Sequence, residues 1–245
     1  MAKKKPRTPT PPRRVQAPQR RAADPMDAAK KQRAILYGIA GAGIVGLVVV
    51  VLIIALGGGG GTSAAAVAKD MTAAGCNFKT VKAYVPAGQS THVNSLTKKL
   101  PWNTDPPSNG QHFPEWAVWG FYTEPVNPRQ VVHNEEHGGV ILWWGSQVSQ
   151  STITQLRAFY DEQPVGVFGT PYPKLGSKIA ITAWTGTPSN YQQNGYYGQG
   201  HIAICPRYDA ATKKAFTTFR KAYRGHGPEG ASLSQDKPGM GPATQ

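Results

Sequence analysis

The longest apolar run is Ala34 to Leu56, 23 residues without a charge or a proline. As a helix rising 1.5 Å per residue it spans about 34 Å, enough for a hydrocarbon core of about 30 Å. This predicts one transmembrane helix. Gly57 to Gly61 and the Thr-Ser-Ala-Ala-Ala stretch then read as a flexible linker, with a short helix near Ala65 to Ala74 that Gly75 ends (residues 57–75). Further on, Gly139 to Trp144 is a continuous apolar strand, expected to be central, and Val131-Val132-His133 reads as a strand end. Ser151 to Glu162 carries Ile153, Leu156, Phe159 and Tyr160 at helical spacing, with Ser151 as its cap. Val165 to Phe168, Lys178 to Trp184 and His201 to Cys205 read as strands. Asp209 to Arg224, with Phe216, Phe219 and Tyr223 on one face, is the last helix.

Strand–helix–strand–strand–helix predicts an α+β fold, a small mixed sheet with two packed helices. The helical crossover sets the first strand pair parallel, and the short loop sets the second antiparallel. A thioredoxin-like arrangement shares this order, but the chain has no Cys-x-x-Cys. The loop Thr170 to Pro173 is a place for a cis proline, and Thr185 to Gly200 reads as a polar, Gly- and Tyr-rich insertion. The folded domain is expected over residues 76–229, followed by a disordered Gly-, Pro- and Ser-rich tail over 230–245.

Charge changes the picture at the N-terminus. Residues 1–33 hold eleven Lys and Arg against Asp24 and Asp27, so +9 of the net +14 lies there. With almost no large apolar side chains this tail is expected to be disordered. By the positive-inside rule it stays in the cytoplasm and the C-terminal domain is exported, anchored in the membrane by Ala34 to Leu56. From Gly57 on, 16 basic residues face 11 acidic ones, so no nucleic-acid partner is expected. Cys76 and Cys205 both fall on the exported side, where an even count argues for a disulfide.

Four of the six histidines cluster: His92, His112, His133 and His137. In His133-Asn134-Glu135-Glu136-His137-Gly138-Gly139 the two imidazoles share a face if the turn is helical. Asn134 stands where a zincin His-Glu-x-x-His motif has its base. His112, His133 and His137, completed by His92 or Glu136, are the expected metal ligands. Neutral imidazoles outside the cytoplasm suit Cu(II) or Zn(II). An exported metal-binding domain is therefore the leading reading. A non-catalytic envelope module binding protein or glycan through Trp102, Trp116, Trp119, Trp143, Trp144 and Tyr122 is an alternative, although these residues read first as an aromatic core. A metal-assisted hydrolase with Glu136 as base is the third reading. The chain has no Gly-x-Ser-x-Gly elbow, P-loop or dinucleotide fingerprint.

Asp105-Pro106-Pro107-Ser108-Asn109-Gly110-Gln111-His112, Trp116-Ala117-Val118-Trp119-Gly120, Val131 to Val140, Lys178 to Trp184 and Tyr223-Arg224-Gly225 with Gly227-Pro228-Glu229 resemble the bacterial domain-of-unknown-function family 3105. The family pattern is roughly Pro-Pro-x-Ser-Gly-x-His, Trp-Ala-x-x-Gly and Val-His-x-x-Glu-His-Gly-Gly. Asn109 stands where the family usually has Ser, and Gln111 where it often has Pro. The resemblance implies a membrane-tethered exported domain and no established activity, and the cysteine pair with the high Gly, Ala and Pro content looks like an actinobacterial version of it. His112, His133, Glu136 and His137 occupy its motif positions.

Overall fold

The computed structural model describes residues 62–242. The basic tail and the span expected at Ala34 to Leu56 lie outside the described residues. Among the described residues, no helix is long and apolar enough to cross a membrane.

Helix α1 (Ala64–Ala73) is capped by Ser63, whose hydroxyl accepts from Ala66 N–H. It is part of the fold and not only a tether. Val67 and Met71 are buried, and Asp70 accepts hydrogen bonds from Lys214 and Thr218 on the last helix. Then follow β1 (Asn77–Lys82), α2 (Pro128–Glu136), β2 (Val140–Trp144), α3 (Gln150–Glu162), β3 (Val167–Pro171), β4 (Ile179–Thr185), β5 (Gln199–Cys205) and α4 (Ala210–Tyr223). The strands form one sheet in the order β1-β5-β4-β2-β3, with β2 and β3 parallel and the other neighbours antiparallel. The α+β class and the mixed sheet are as expected; the described residues hold four α-helices, where two packed helices and a short one near Ala65 to Ala74 were anticipated.

β2 is central and buried at every position. Successive side chains point to opposite faces. Val140, Leu142 and Trp144 join Leu156, Phe159, Phe216 and Phe219 from α3 and α4. Ile141 and Trp143 join Trp119, Val131, Phe168 and Tyr172 on the other face.

Three local expectations are corrected. Val131-Val132-His133 lies in α2, not at a strand end: Asn127 caps the helix and Pro128 occupies its first turn, which outweighs the β preference of two valines. β3 and β4 do not pair. The loop after Pro171 crosses the end of β2 and delivers β4 to its far edge. The crossing passes so close that a Cβ at Gly145 would sit 2.0 Å from Gly176 O. Helix α3 is capped by Ser149, not Ser151.

The stretch from 230, expected to be disordered, folds back over the domain as far as residue 242. Gly166 N–H donates to Asp236 O (2.9 Å), and Trp119 N–H donates to Met240 O (2.8 Å). Its anchors are backbone hydrogen bonds and one buried carboxylate, Asp236, features that leave no apolar periodicity in the sequence.

Cys76 and Cys205 form a disulfide with Cα atoms 4.2 Å apart. It ties the start of β1 to the end of β5 across 129 residues.

Candidate metal centre

Helix α2 presents His133 and Glu136 three residues apart, and His137 is its C-cap. The chain leaves the helix at once because Gly138 has φ +107°, which favours glycine. A second strand of backbone lies against this end. Gly225 N–H donates to Gly138 O (2.8 Å), and a Cβ at Gly227 would meet Glu136 O and Gly138 N at 2.3 Å. That close approach brings Glu229 to His137.

The turn-rich segment before His112 is interior rather than surface: residues 106–112 are all buried. The cis proline bond is Asp105–Pro106, not one in the Thr170 to Pro173 loop. Asn109 Oδ1 accepts from Tyr84 N–H, and Gln111 Nε2 donates to Ser90 O. A short bridge, His112 N–H to Thr91 O and Val93 N–H to His112 O, pins the His92 loop beside it. Asn134 holds the third segment: its amide exchanges two hydrogen bonds with the backbone of Ala117. This explains the Asn where a zincin has Glu; the position is a backbone clamp.

These segments converge on one carboxylate oxygen. Glu136 Oε2 lies 3.0 Å from His112 Nε2, 3.6 Å from His92 Nε2 and 3.7 Å from His133 Nε2. The far ring nitrogens are already committed. His112 Nδ1 faces Gly110 O at 2.8 Å and His133 Nδ1 faces Phe113 O at 3.0 Å. A carbonyl can only accept, so each Nδ1 carries a proton, and Nε2 is the nitrogen each ring turns toward Glu136 and the one whose lone pair a metal would take. Despite their separation, His112 Nε2 and Glu136 Oε2 are not aligned as a hydrogen bond. Neither has a hydrogen-bond partner among the described residues, and both are buried. Buried polar atoms left unpaired at a common point mark a place for an ion or water. Tetrahedral ligands about 2.1 Å from a metal stand roughly 3.4 Å apart, within the spread seen here.

Glu136 Oε1 accepts from the Tyr191 hydroxyl, which orients the carboxylate. Burial alone would favour its acid form. His112, His92 and Tyr191 together outweigh that and hold it well below the usual carboxylate range. Tyr191 is driven far up by its own burial and by Glu136. Burial, reinforced by the His112 ring, pushes His133 down to about 3, so its ring is neutral. Glu135 points away, to the Thr182 hydroxyl, which in turn accepts from Trp143 Nε1. Full burial raises Glu135 well above the ordinary range, which favours its acid form.

Of the five ligands expected from sequence, His92, His112, His133 and Glu136 therefore form one group that could hold a metal ion. His137 belongs to a second group with His133 and Glu229. Its Nε2 is 3.3 Å from Glu229 Oε2, and its Nδ1 is 3.8 Å from Asp236 Oδ1. Tyr191, Glu229 and Asp236 were not foreseen as members. Glu229 stood in a quoted motif, whereas Tyr191 and Asp236 lie in polar stretches with no local signal. Trp119, Trp143 and Trp144 are core residues, and Trp116 packs on the rings of His133 and His137.

A model of the family described as "Protein of unknown function (DUF3105)" matches residues 92–235. No curated protein and no solved structure matches the chain.

Proposed function

The chain belongs to the DUF3105 family of proteins of unknown function, and we propose that it is an exported, membrane-anchored domain that binds one divalent transition metal ion, Zn(II) or Cu(II). The observation that carries the reading is the pair of Nδ1–H groups spent on backbone carbonyls, which aims the Nε2 atoms of His112 and His133 at Glu136. Ring orientation by a second acceptor is what metal-bound histidines require. The ligand set is nitrogen and oxygen only. Both cysteines are consumed by the disulfide, so no thiolate is available to favour Cu(I). That disulfide also suits an oxidising compartment, and the apolar run supplies the anchor.

Glu136 serves as a ligand here rather than as the base of a hydrolase. One of its oxygens accepts from the Tyr191 hydroxyl, and the other is turned to the point the imidazoles share. Elemental analysis of the full-length protein after dialysis tests the reading. We expect one Zn or Cu per chain, lost in His112→Ala and in His133→Ala; wild type and variants equally free of metal would end it. Alkaline extraction tests the anchor, since a chain released with peripheral proteins is not inserted.

A second reading, glycan capture, draws on an open groove lined by Tyr84, Trp102 and Tyr197, in which Tyr84 is exposed. Capture of envelope glycan that survives Trp102→Ala and Tyr84→Ala would count against it.

A further inference from the structure

His133 is common to both histidine groups, yet it has one nitrogen to give. Its Nδ1 is committed to Phe113 O, so Nε2 alone keeps a lone pair, and one lone pair cannot ligate two ions at once. The groups are therefore alternative seats for a single ion, not halves of a dinuclear centre. We infer that His137 and Glu229 form an outer loading seat, through which an ion reaches the inner seat of His92, His112 and Glu136 while His133 stays bound throughout. The inference rests on the metal-binding reading above.

Burial and charge together give the transfer its direction. In the inner seat the Glu136 and His112 side chains are 1% and 0% exposed and the group that reaches solvent is an imidazole, His92 (41%), whereas the exposed group of the outer seat is a carboxylate, Glu229 (47%), which attracts a hydrated dication more strongly. A hydrated dication meets Glu229 first. Exchanging its waters stepwise for His137 and His133 avoids stripping the whole shell at a buried site, where an incompletely compensated charge is costly. The outer seat is also built to carry positive charge. Asp236 is fully buried behind His137, and neither of its oxygens has a hydrogen-bond partner among the described residues. The facing His137 Nδ1, 3.8 Å away, is likewise unpartnered. A buried carboxylate behind the ring, with a second carboxylate at its Nε2, is the arrangement that favours a cation at an imidazole. Backbone holds both acids in place: Asp236 N–H donates to Leu233 O (3.1 Å), and Glu229 follows the Gly225 to Gly227 crossing.

Exchange kinetics test this. The metal-free full-length protein is mixed with Zn(II) in a stopped-flow instrument, and release is followed into a fluorescent chelator. A transit seat speeds entry and exit alike, so Glu229→Gln and His137→Ala should each slow uptake and release by about tenfold, the effect of about 1.4 kcal/mol on a shared barrier, leaving their ratio nearly constant. Glu229→Gln is a half-exposed isosteric change, which guards against misfolding. One ion per chain at saturation supports the scheme, and two overturn it. Unchanged rates in both variants overturn it in favour of entry past the half-exposed His92. An affinity loss in His137→Ala as large as that in His112→Ala places His137 in the inner shell and also overturns it. Wild type that binds no ion removes this scheme and the metal-binding reading together.

Discussion

Replacing Glu136 by Gln isolates the charge at the point where the imidazoles meet. The volume is unchanged, and the amide oxygen can still accept from Tyr191, so no cavity forms. An ion present at about 1,000 times its Kd stabilises the fold by about 4 kcal/mol. The described unit has roughly 180 residues, and at about 2.1 cal/mol/K per residue its unfolding entropy is about 0.4 kcal/mol/K. Wild type should therefore melt about 10 °C higher with Zn(II) than without. Loss of the anionic ligand should weaken binding at least 100-fold, about 2.7 kcal/mol, leaving a shift of roughly 4 °C at the same Zn(II) concentration. Calorimetry of the full-length protein at neutral pH, with and without metal, reads this difference. Each protein is its own reference, so any cost to the metal-free fold cancels. A wild-type Tm indifferent to Zn(II), or equal shifts in both proteins, would refute the assignment of Glu136.

Three other outcomes are expected. Cys76→Ser with Cys205→Ser should lower urea stability by up to about 5 kcal/mol from loop entropy, and an unchanged urea midpoint would contradict a closed bridge across 129 residues. His201 is buried between the hydroxyls of Thr80 and Thr185, and burial pushes it down to about 4. The unfolded chain, with an ordinary value near 6.5, takes up this proton first. Its contribution is thus complete above about pH 6.5 and lost as pH falls toward about 4, by about 3 kcal/mol. A His201→Asn variant with the same pH slope would disprove that source. Gly227→Ala puts a methyl against Glu136 O and Gly138 N, and should cost about 1–3 kcal/mol in a thermal melt; a neutral result would mean the crossing is loose.

Pattern in the chain was enough for the α+β class, the central apolar strand Val140–Trp144, the helix carrying Phe216, Phe219 and Tyr223, and the Cys76–Cys205 bridge. These depend on periodicity, burial and cysteine count, which are properties of short segments. The imidazoles of His92, His112 and His133 were also visible as a cluster, because residue type and sequence proximity pointed to one chemistry. The strand order was not visible. Nothing local tells whether the chain after Pro171 turns back beside β3 or crosses the end of β2; the close pass of Gly176 over Gly145 decided it. Likewise, only folding could divide the histidines, giving His137 to Glu229 and leaving His133 common to both groups. Asp236 and Tyr191 sit in segments without pattern, 99 and 55 residues from the positions they serve. A ligand shell is made of directions in space. Sequence supplies the residue types and the local turn that pairs His133 with Glu136, while distant backbone, packed where glycines leave room, sets which lone pairs meet.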